Sequence, residues 1–320
     1  MKKVVITEFG DVSKLAIVEC NLPEPAAGEV QLSVEYSIVS GSDVNMRRGT
    51  YPFQKKAPLT PGYSVLGTVR LNGKGCSKFK VGDRVACLSK YEGQAELINL
   101  PERFLVPVPE GVDRKAAVAL VLDWVTAYQM LRHAADVKSG QRIFIHGLSG
   151  AVGGALLSLG KIQGAQVFGT ASSTKHEELR TLGAVPFDYS NKNWITAMQE
   201  LGGADAVFDP LGFELCPAEG RHPSGLRHEP PSIDEGSSPS RVSSDPQTIV
   251  QESVLLLWQT NHLLRPPPLM PDLELLFEWL RSGKISVPIK ATFRIEEIQK
   301  AHREYASSSR MGSMVIEISR

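Results

Sequence analysis

The stretch from residue 142 to residue 171 constrains the fold of this chain more than any other. RIFIH (142–146) has the β-branched and aromatic content of a strand, GLSG (147–150) is a turn, and residues 151–164 have the apolar content of a helix. AQVFGTA (165–171) follows as a second strand. A strand, a helix and a strand in this order predict two parallel neighbours joined by a crossover helix.

The same alternation continues on both sides of this unit. Residues 114–136 predict a buried helix before it, and helices alternate with strands up to residue 209. Residues 1–115 differ, because short β-rich runs are separated there by turn clusters such as LNGKG and VGDR. We therefore predict an α/β fold with a barrel-like β domain and a doubly wound parallel sheet, truncated after its fourth strand.

Charge and cysteine content exclude several classes of protein. Lys plus Arg equals 35 and Asp plus Glu equals 35, which disfavours a nucleic-acid partner or an anionic membrane surface. The four cysteines form no CxxC pair, so neither a structural zinc site nor a disulfide framework is expected. The N-terminal residues do not read as a signal peptide, and no apolar run is long enough to span a bilayer. We expect a cytoplasmic protein.

Three glycines occupy the turn between the first strand and the helix of this unit. Gly147, Gly150 and Gly153 form a G-x-x-G-x-x-G pattern. Glycines there allow a tight turn and close approach to a pyrophosphate, which the helix N-terminus attracts. The pattern alone also occurs in plain turns, but its place between a strand and a helix favours dinucleotide binding.

The end of the second strand indicates which dinucleotide is bound. An NAD site usually has Asp or Glu there to hold the ribose hydroxyls. This chain has Ser172, Ser173 and Lys175 instead, which suit a 2′-phosphate and predict NADPH. The alternative is that these three residues are solvated polar residues at a helix start.

At this point the whole pattern resembles the medium-chain dehydrogenase/reductase superfamily, in particular its zinc-independent quinone oxidoreductase-like branch. The resemblance covers residues 1 to about 214 and 270 to 320, in order. The matching segments include EVQLSVEYS, SDVNMRRGTYPF, LTPGYSVLGTV, VGDRVACL, WVTAYQML, LGAVPFDY, VFDPLG and SGKISVPIKATFRIEEIQKAH.

The resemblance implies a GroES-like β-barrel domain and a Rossmann domain with the active site between them. The implied boundaries are 1–115 for the GroES-like catalytic domain, 116–270 for the cofactor domain, with 215–268 irregular, and 271–320 for a return to the first domain. A small-molecule substrate is implied. Beyond the residues already named, the implied cofactor contacts are Thr126, Ser149, Val152, Tyr189, Asp209 and Leu211.

The residues that hold catalytic zinc in alcohol-dehydrogenase members are replaced here. Ser40 stands where the first Cys would be, and Tyr63 and Ser64 stand where His and Glu would be. Neutral hydroxyls are poor zinc ligands beside thiolate or imidazole, so we expect no metal. His146, at the end of a predicted strand, is expected to be packed or bonded to the turn.

Without zinc, an activated C=C (an enone or enoyl group) or a quinone needs only hydride and a proton. Ser40 and Tyr51 match cleft positions of the family and are the candidate catalytic hydrogen-bond donors, although Tyr51 as a plain pocket wall is equally compatible. Asp43 is expected to cap the short helix, and Arg47 and Arg48 to be surface charges. Alcohol/carbonyl interconversion is the alternative enzyme class.

The chain departs from the family between residues 215 and 268. Between Pro217 and Pro246, sixteen of thirty residues are Pro, Ser or Gly. Permitted codons for residues 225–231, read one nucleotide out of frame, give Gly-Tyr-Gly-Met-Asn-Leu, which fits a strand that the family has here. We hypothesise an out-of-frame segment, and sequencing of the transcript tests it. A natural disordered insertion is the alternative.

Loss of two sheet strands would remove burial comparable to a domain's whole net stability of about 5–15 kcal/mol. We therefore expect an in-frame version to bind NADPH and to form a homodimer. The chain as written is expected to do neither well, which leaves an inactive or cofactor-binding-only product as a further alternative.

Overall fold

The structure of this chain is a computed structural model. It describes residues 1–191, 193–209, 269–307 and 311–319. Leu211 and the segment 215–268, for which the sequence suggests a frame shift, lie outside the described residues. Within the described part of the chain, no helix has the length and apolar character needed to cross a membrane.

The first part of the chain forms antiparallel sheets, in agreement with its short β-rich runs. Strands β1 and β2 pair with each other, whereas the remaining strands of this part join a larger sheet around β3. The strands are β1 (Lys2–Ile6), β2 (Leu15–Glu19), β3 (Glu29–Val39), β4 (Ser64–Asn72), β5 (Arg84–Leu88), β6 (Leu97–Pro101) and β7 (Val106–Pro107).

Strand β3 organises this barrel-like part. It pairs antiparallel with β4, and its first half also pairs with β6. Val30, Leu32 and Val34 are fully buried. Alternate side chains of a strand face the same side of the sheet, so these three residues share the face that packs into the core. Helix α1 (Gly41–Arg48) follows β3 directly.

The second part is a parallel sheet of four strands in the order β10-β9-β8-β11 within the described residues. The predicted crossover unit is confirmed, since β8 and β9 are parallel neighbours with a helix between them in sequence. The elements are β8 (Arg142–Ile145), α4 (Ala151–Gln163), β9 (Gln166–Ala171), α5 (His176–Thr181), β10 (Ala184–Asp188), α6 (Asn193–Glu200) and β11 (Ala206–Phe208).

Helices cover both faces of the parallel sheet, because alternate residues of β8 point in opposite directions. Ile143 and Ile145 belong to the core that α4 completes. Phe144 points to the other face, where it clusters with Phe168 and with Met198 of α6. This two-sided burial is what a doubly wound sheet requires.

A long interrupted helix connects the two parts. It consists of α2 (Arg114–Ala119), a π-helical turn (Leu120–Trp124), α3 (Val125–Gln129) and a second π-helical turn (Met130–Ala134). Turns of π-helix inside α-helices occur often at functional sites.

The last part of the chain returns to the antiparallel sheet. After α7 (Leu269–Arg281) come β12 (Ile289–Arg294), α8 (Ile298–Ser307) and β13 (Ser313–Glu317). Strand β13 pairs antiparallel with β3 and parallel with β12. The chain therefore passes from the antiparallel part to the parallel sheet and back again, so segments distant in sequence pair within the antiparallel sheet.

Candidate functional site

The glycine turn between β8 and α4 has the geometry of an anion cradle. Gly147 has φ +68°, in the left-handed region that glycine favours. A Cβ atom at Gly153 would lie 2.3 Å from the Gly147 carbonyl oxygen, so only glycine allows the backbone at residue 153 to pass this close to residue 147. Gly150 is the N-cap of α4 and provides no side-chain cap, which leaves the first N–H groups of the helix for an anion. The turn fits the pyrophosphate of a dinucleotide.

His146 fixes this turn to the sheet. Its backbone N–H donates to the Phe208 carbonyl (2.9 Å), and its Nδ1 lies 3.1 Å from the Thr170 hydroxyl oxygen. Burial lowers the pKa of the His146 imidazole, with the nearby Asp209 charge acting in the opposite direction. The side chain is packed, as the sequence analysis expects, and its hydrogen bond goes to Thr170 of β9 rather than to the turn.

Most predicted cofactor residues lie at one edge of the parallel sheet. In a parallel sheet, ligands bind outside the carboxyl ends of the strands, where the connecting loops meet. These residues belong to the turn after β8, to the first turn of α4, or to the segments that follow β9, β10 and β11. They are Ser149, Val152, Ser172, Ser173, Lys175, Tyr189 and Asp209. Leu211, predicted to belong with them, is outside the described residues.

Lys175 lies beside a second lysine that the sequence analysis missed. Its ammonium group pairs with Glu178 (2.9 Å), and its side chain is only 12% exposed. The pKa of Lys290, in β12, is lowered by burial first and by the Lys175 charge second. The Lys175 charge therefore acts on Lys290, and the charge of Glu304 acts there in the opposite direction. No local sequence pattern identifies Lys290, because the fold of the C-terminal part, with β12 paired to β13, sets its position.

Ser40 and Asp43 cap α1 together. Ser40 is the N-cap: its hydroxyl accepts from the Asp43 N–H (3.3 Å) and donates to the Asp43 carboxylate (2.6 Å). Asp43 also accepts from the backbone N–H groups of Ser40 and Gly62, both at 2.9 Å. The expectation that Asp43 caps the short helix is confirmed: Ser40 is the N-cap residue, and the Asp43 carboxylate is its third-residue partner in a capping box.

The expectation that Arg47 is a surface charge is also wrong. Its side chain is only 5% exposed, whereas Arg48 is exposed. Arg47 lies four residues after Asp43 and three after Val44, which places it on the same buried face of α1. Its charge lies close enough to His302 of α8 to lower the pKa of that buried imidazole, which burial and this charge bring to about 3.

Tyr51 and Tyr63 form a hydroxyl pair in the antiparallel part of the chain. Their hydroxyl oxygens lie 2.6 Å apart, and their rings meet edge to face. Tyr63 is buried, which raises the pKa of its phenol well above the usual range, and Tyr51 raises it further. The pair therefore holds two hydroxyl protons, one of which lies between the two oxygens.

A second buried carboxyl comes from the π-helical turn before α3. Asp123 is 5% exposed and accepts a hydrogen bond from the Ser313 hydroxyl (2.9 Å). Thr126, a predicted cofactor contact, is half-buried three residues further along the same helix. Burial raises the pKa of both Asp43 and Asp123 to about 6. The Asp43 charge adds to the rise at Asp123.

Asp123→Asn is expected to change the pH dependence of stability. The folded-state pKa of Asp123 is raised, so its stabilising contribution is complete below the unfolded pKa and is lost as pH rises through about 6. Relative to wild type, the variant should gain roughly 2 kcal/mol of unfolding free energy between pH ~4 and pH ~7.5. Urea unfolding at the two pH values measures this.

Asp136→Asn is the matched control for that measurement. Asp136 is exposed, and its hydrogen bond with Lys138 lowers the pKa of the carboxyl. The control should show no gain in relative stability as pH rises. Equal behaviour of the two variants would contradict the assigned burial of Asp123.

The donor set at the expected zinc position is poor in metal ligands. Ser40 and Tyr63 offer hydroxyl oxygens already engaged with Asp43 and Tyr51. Among the residues that the structure describes, no group of three or more His, Cys, Asp or Glu side chains is arranged to hold a metal ion. Absence of metal stays a prediction that rests on the chemistry of these side chains.

Two sequence families match the chain. Residues 26–110 match the family described as alcohol dehydrogenase GroES-like domain. Residues 182–316 match the family described as zinc-binding dehydrogenase. The first covers most of the antiparallel sheet, and the second begins at the end of α5 and extends into β13.

Two curated proteins are also similar to this chain. The mouse (Mus musculus) synaptic vesicle membrane protein VAT-1 homolog-like is 26% identical over 346 residues, covering 99% of this chain and 81% of the relative. The rat (Rattus norvegicus) quinone oxidoreductase is 31% identical over 211 residues, covering 65% of this chain and 64% of the relative.

Solved structures share the whole architecture. The human VAT-1 homolog-like protein superposes with a TM-score of 0.81 at 24% identity, covering 100% of this chain and 98% of the other. The quinone oxidoreductase of Pseudomonas syringae pv. Tomato DC3000 has a TM-score of 0.77 at 26% identity, covering 99% of both. These matches support an oxidoreductase fold with a GroES-like domain and a parallel sheet. The chain belongs to the medium-chain dehydrogenase/reductase superfamily.

Proposed function

We propose that this chain is a zinc-independent oxidoreductase that transfers hydride from NADPH to an activated C=C, as in an enone or enoyl group, or to a quinone. The glycine turn carries the proposal, because Gly153 approaches the Gly147 carbonyl so closely that no side chain fits. Such a close approach of two backbone segments, next to a helix start without a side-chain cap, suits a bound pyrophosphate. The relative named as a quinone oxidoreductase supports the reaction class.

The preference for NADPH rests on charge at the end of β9. Lys175 and Lys290 repel each other there, and burial adds to the cost of charging Lys290. A 2′-phosphate placed between them would relieve that repulsion, with Ser172 and Ser173 as further hydrogen-bond donors. Glu178 competes for Lys175 in the unliganded protein.

The other predicted cofactor residues are assigned to the pyrophosphate, the adenosine and the ribose of NADPH. Gly147, Ser149, Gly150, Val152 and Gly153 surround the pyrophosphate. Tyr189, which is 61% exposed, would pack on the adenosine. Asp209 would hold a ribose hydroxyl.

Side chains of the antiparallel part are proposed to donate hydrogen bonds to the substrate. When bound, the nicotinamide supplies the hydride. We infer that Tyr51, polarised by its bond to Tyr63, donates to the substrate oxygen. Ser40 already donates to Asp43, so its part is to fix the carboxylate and the start of α1. Thr126 would contact the nicotinamide end.

The proposal includes the domain boundaries, the oligomeric state and the cellular location of the protein. The catalytic unit is proposed as 1–115 with 271–320, and the cofactor unit as 116–270. The substrate is a small molecule, and the cytoplasm is the proposed location. A homodimer is proposed for an in-frame version of the chain.

Thermal unfolding with each cofactor tests the proposal. NADPH should raise the melting temperature more than NADH at equal concentration. Lys175→Ala should weaken NADPH binding by about tenfold, through loss of a charge-assisted hydrogen bond, and leave NADH binding unchanged. Glu178→Gln is the matched control and should strengthen NADPH binding, because it frees Lys175.

Absorbance loss of NADPH with a quinone or an enone then tests turnover. Stabilisation without turnover would reduce the function to cofactor binding. No response to either cofactor would contradict the proposal and favour an inactive product.

A further inference from the structure

Two buried basic side chains have polar atoms without a hydrogen-bond partner. Arg47 of α1 is 5% exposed, and His302 of α8 is 1% exposed. Among the residues that the structure describes, none accepts a hydrogen bond from Nε or Nη1 of Arg47, and neither ring nitrogen of His302 has a partner. A buried polar group without a partner costs free energy, and an uncompensated buried charge costs more. These nitrogens therefore need a further group to bond.

Described contacts bring α1 and α8 together at two levels. At the start of α1, a Cβ placed at Gly41 would lie 3.3 Å from the Tyr305 hydroxyl oxygen of α8. At its end, the Arg47 carbonyl accepts from a backbone N–H of the segment 10–15, and the Gln299 side chain of α8 donates to a backbone carbonyl of the same segment, both at 2.9 Å. The two helices therefore run in opposite directions at this contact.

His302 lies between these two levels on α8. It follows Gln299 by three residues and precedes Tyr305 by three, so the three side chains share one side of the helix. Side chains of a helix tilt toward its N-terminus, so the Arg47 guanidinium reaches back along α1 toward the level of His302. The action of the Arg47 charge on the His302 imidazole agrees with this placement.

Nearby carboxylates do not complete the hydrogen bonding of this pair. Asp43, one turn before Arg47, uses both carboxylate oxygens to accept from Ser40 and Gly62. Asp11, whose charge acts on Arg47, is exposed and accepts from a backbone N–H two residues later at 2.7 Å. The guanidinium nitrogens are thus left without an acceptor inside the protein.

The chemistry of the unpartnered atoms indicates what they bind. Nε of arginine carries one N–H and Nη1 carries two, whereas a neutral imidazole has one N–H and one lone pair. Burial and the Arg47 charge bring the pKa of His302 to about 3, so its imidazole is neutral at pH 7. A halide ion accepts several N–H bonds, donates none and neutralises the guanidinium charge. A water molecule would bring two more donors and no charge.

We propose that Arg47 and His302 form a binding site for a small monovalent anion of the size of chloride, enclosed where α1 and α8 pack on the segment 10–15. The bound anion links α1 to the C-terminal part of the chain and stabilises the antiparallel part. The site shares no residue with the proposed cofactor and substrate contacts, so it is independent of the proposed function.

Thermal unfolding of the full chain tests this site with chloride itself as the probe. The protein is dialysed into sodium gluconate, and chloride then replaces gluconate at constant ionic strength. The melting temperature should rise with chloride concentration, as for any ligand of the folded state alone. Arg47→Met keeps an apolar stem, removes the charge and should abolish the rise. Arg48→Met, at the exposed neighbour, is the matched control and should retain it.

His302→Leu tests the second side of the site. The variant should need about fivefold more chloride for the same rise in melting temperature, because one neutral hydrogen bond is lost. A melting temperature of wild type that does not respond to chloride, or equal responses of wild type and Arg47→Met, would overturn the inference.

Crystals of the wild-type chain grown in sodium bromide provide a measurement that needs no variant. The anomalous signal of a bromide ion is expected between the Arg47 guanidinium and the His302 ring. A water molecule at that position without an anomalous signal would overturn the inference.

Discussion

Gly153→Ala is expected to weaken NADPH binding by more than tenfold. The added Cβ would lie 2.3 Å from the Gly147 carbonyl oxygen and 3.0 Å from the Leu148 Cα, and both are backbone atoms. Since neither can move without opening the turn, the first N–H groups of α4 would lose their alignment on the pyrophosphate. Tenfold corresponds to about 1.4 kcal/mol of binding free energy. Titration calorimetry with NADPH measures the change.

The adjacent glycine provides a matched control. A Cβ at Gly154 would meet only the flexible end of Met311, at 3.4 Å, which is ordinary contact. Gly154→Ala should preserve NADPH affinity and add helix propensity of up to about 1 kcal/mol. Equal affinities of the two variants would mean that the turn does not hold the pyrophosphate.

Asp43→Ala is expected to destabilise the fold by about 3 kcal/mol, because three buried donors would lose their partner. These donors are the Ser40 hydroxyl and the backbone N–H groups of Ser40 and Gly62. The penalty is reduced by relief of the buried charge, which is why it stays below the sum of three unsatisfied donors. The midpoint of urea unfolding should fall with an unchanged slope.

Asp113→Ala separates this effect from ordinary helix capping. Asp113 is the exposed N-cap of α2, where its carboxylate accepts from the Ala116 N–H at 2.8 Å. Its removal should cost about 1 kcal/mol. A loss for Asp43→Ala no larger than this would contradict its assigned part in joining α1 to the Gly62 loop.

The cofactor half of the site follows from local sequence. The glycine spacing and the strand ends at residues 145, 171 and 188 are set by periodicity and turn chemistry within short windows, and the structure brings them to one sheet edge. Lys290 and Ser313 cannot be found in this way, because the pairing of β12 with β13 and of β13 with β3 sets their positions.

The barrel half shows the limits of local patterns more clearly. Reading Arg47 as a surface charge follows from its polarity, but its position on α1 places it on the face that Asp43 and Val44 bury. Tyr63 gives no sign in sequence that it bonds to Tyr51, twelve residues away. Tertiary packing decides both cases.

NADPH oxidation by the chain after exhaustive chelation of metals tests the central claim most directly. With a quinone or an enone as acceptor, the treated protein should retain the rate of the untreated protein, because the hydroxyls of Ser40, Tyr63 and Ser64 occupy the positions of the zinc ligands. Loss of the rate after chelation, with recovery on addition of Zn²⁺, would contradict the account.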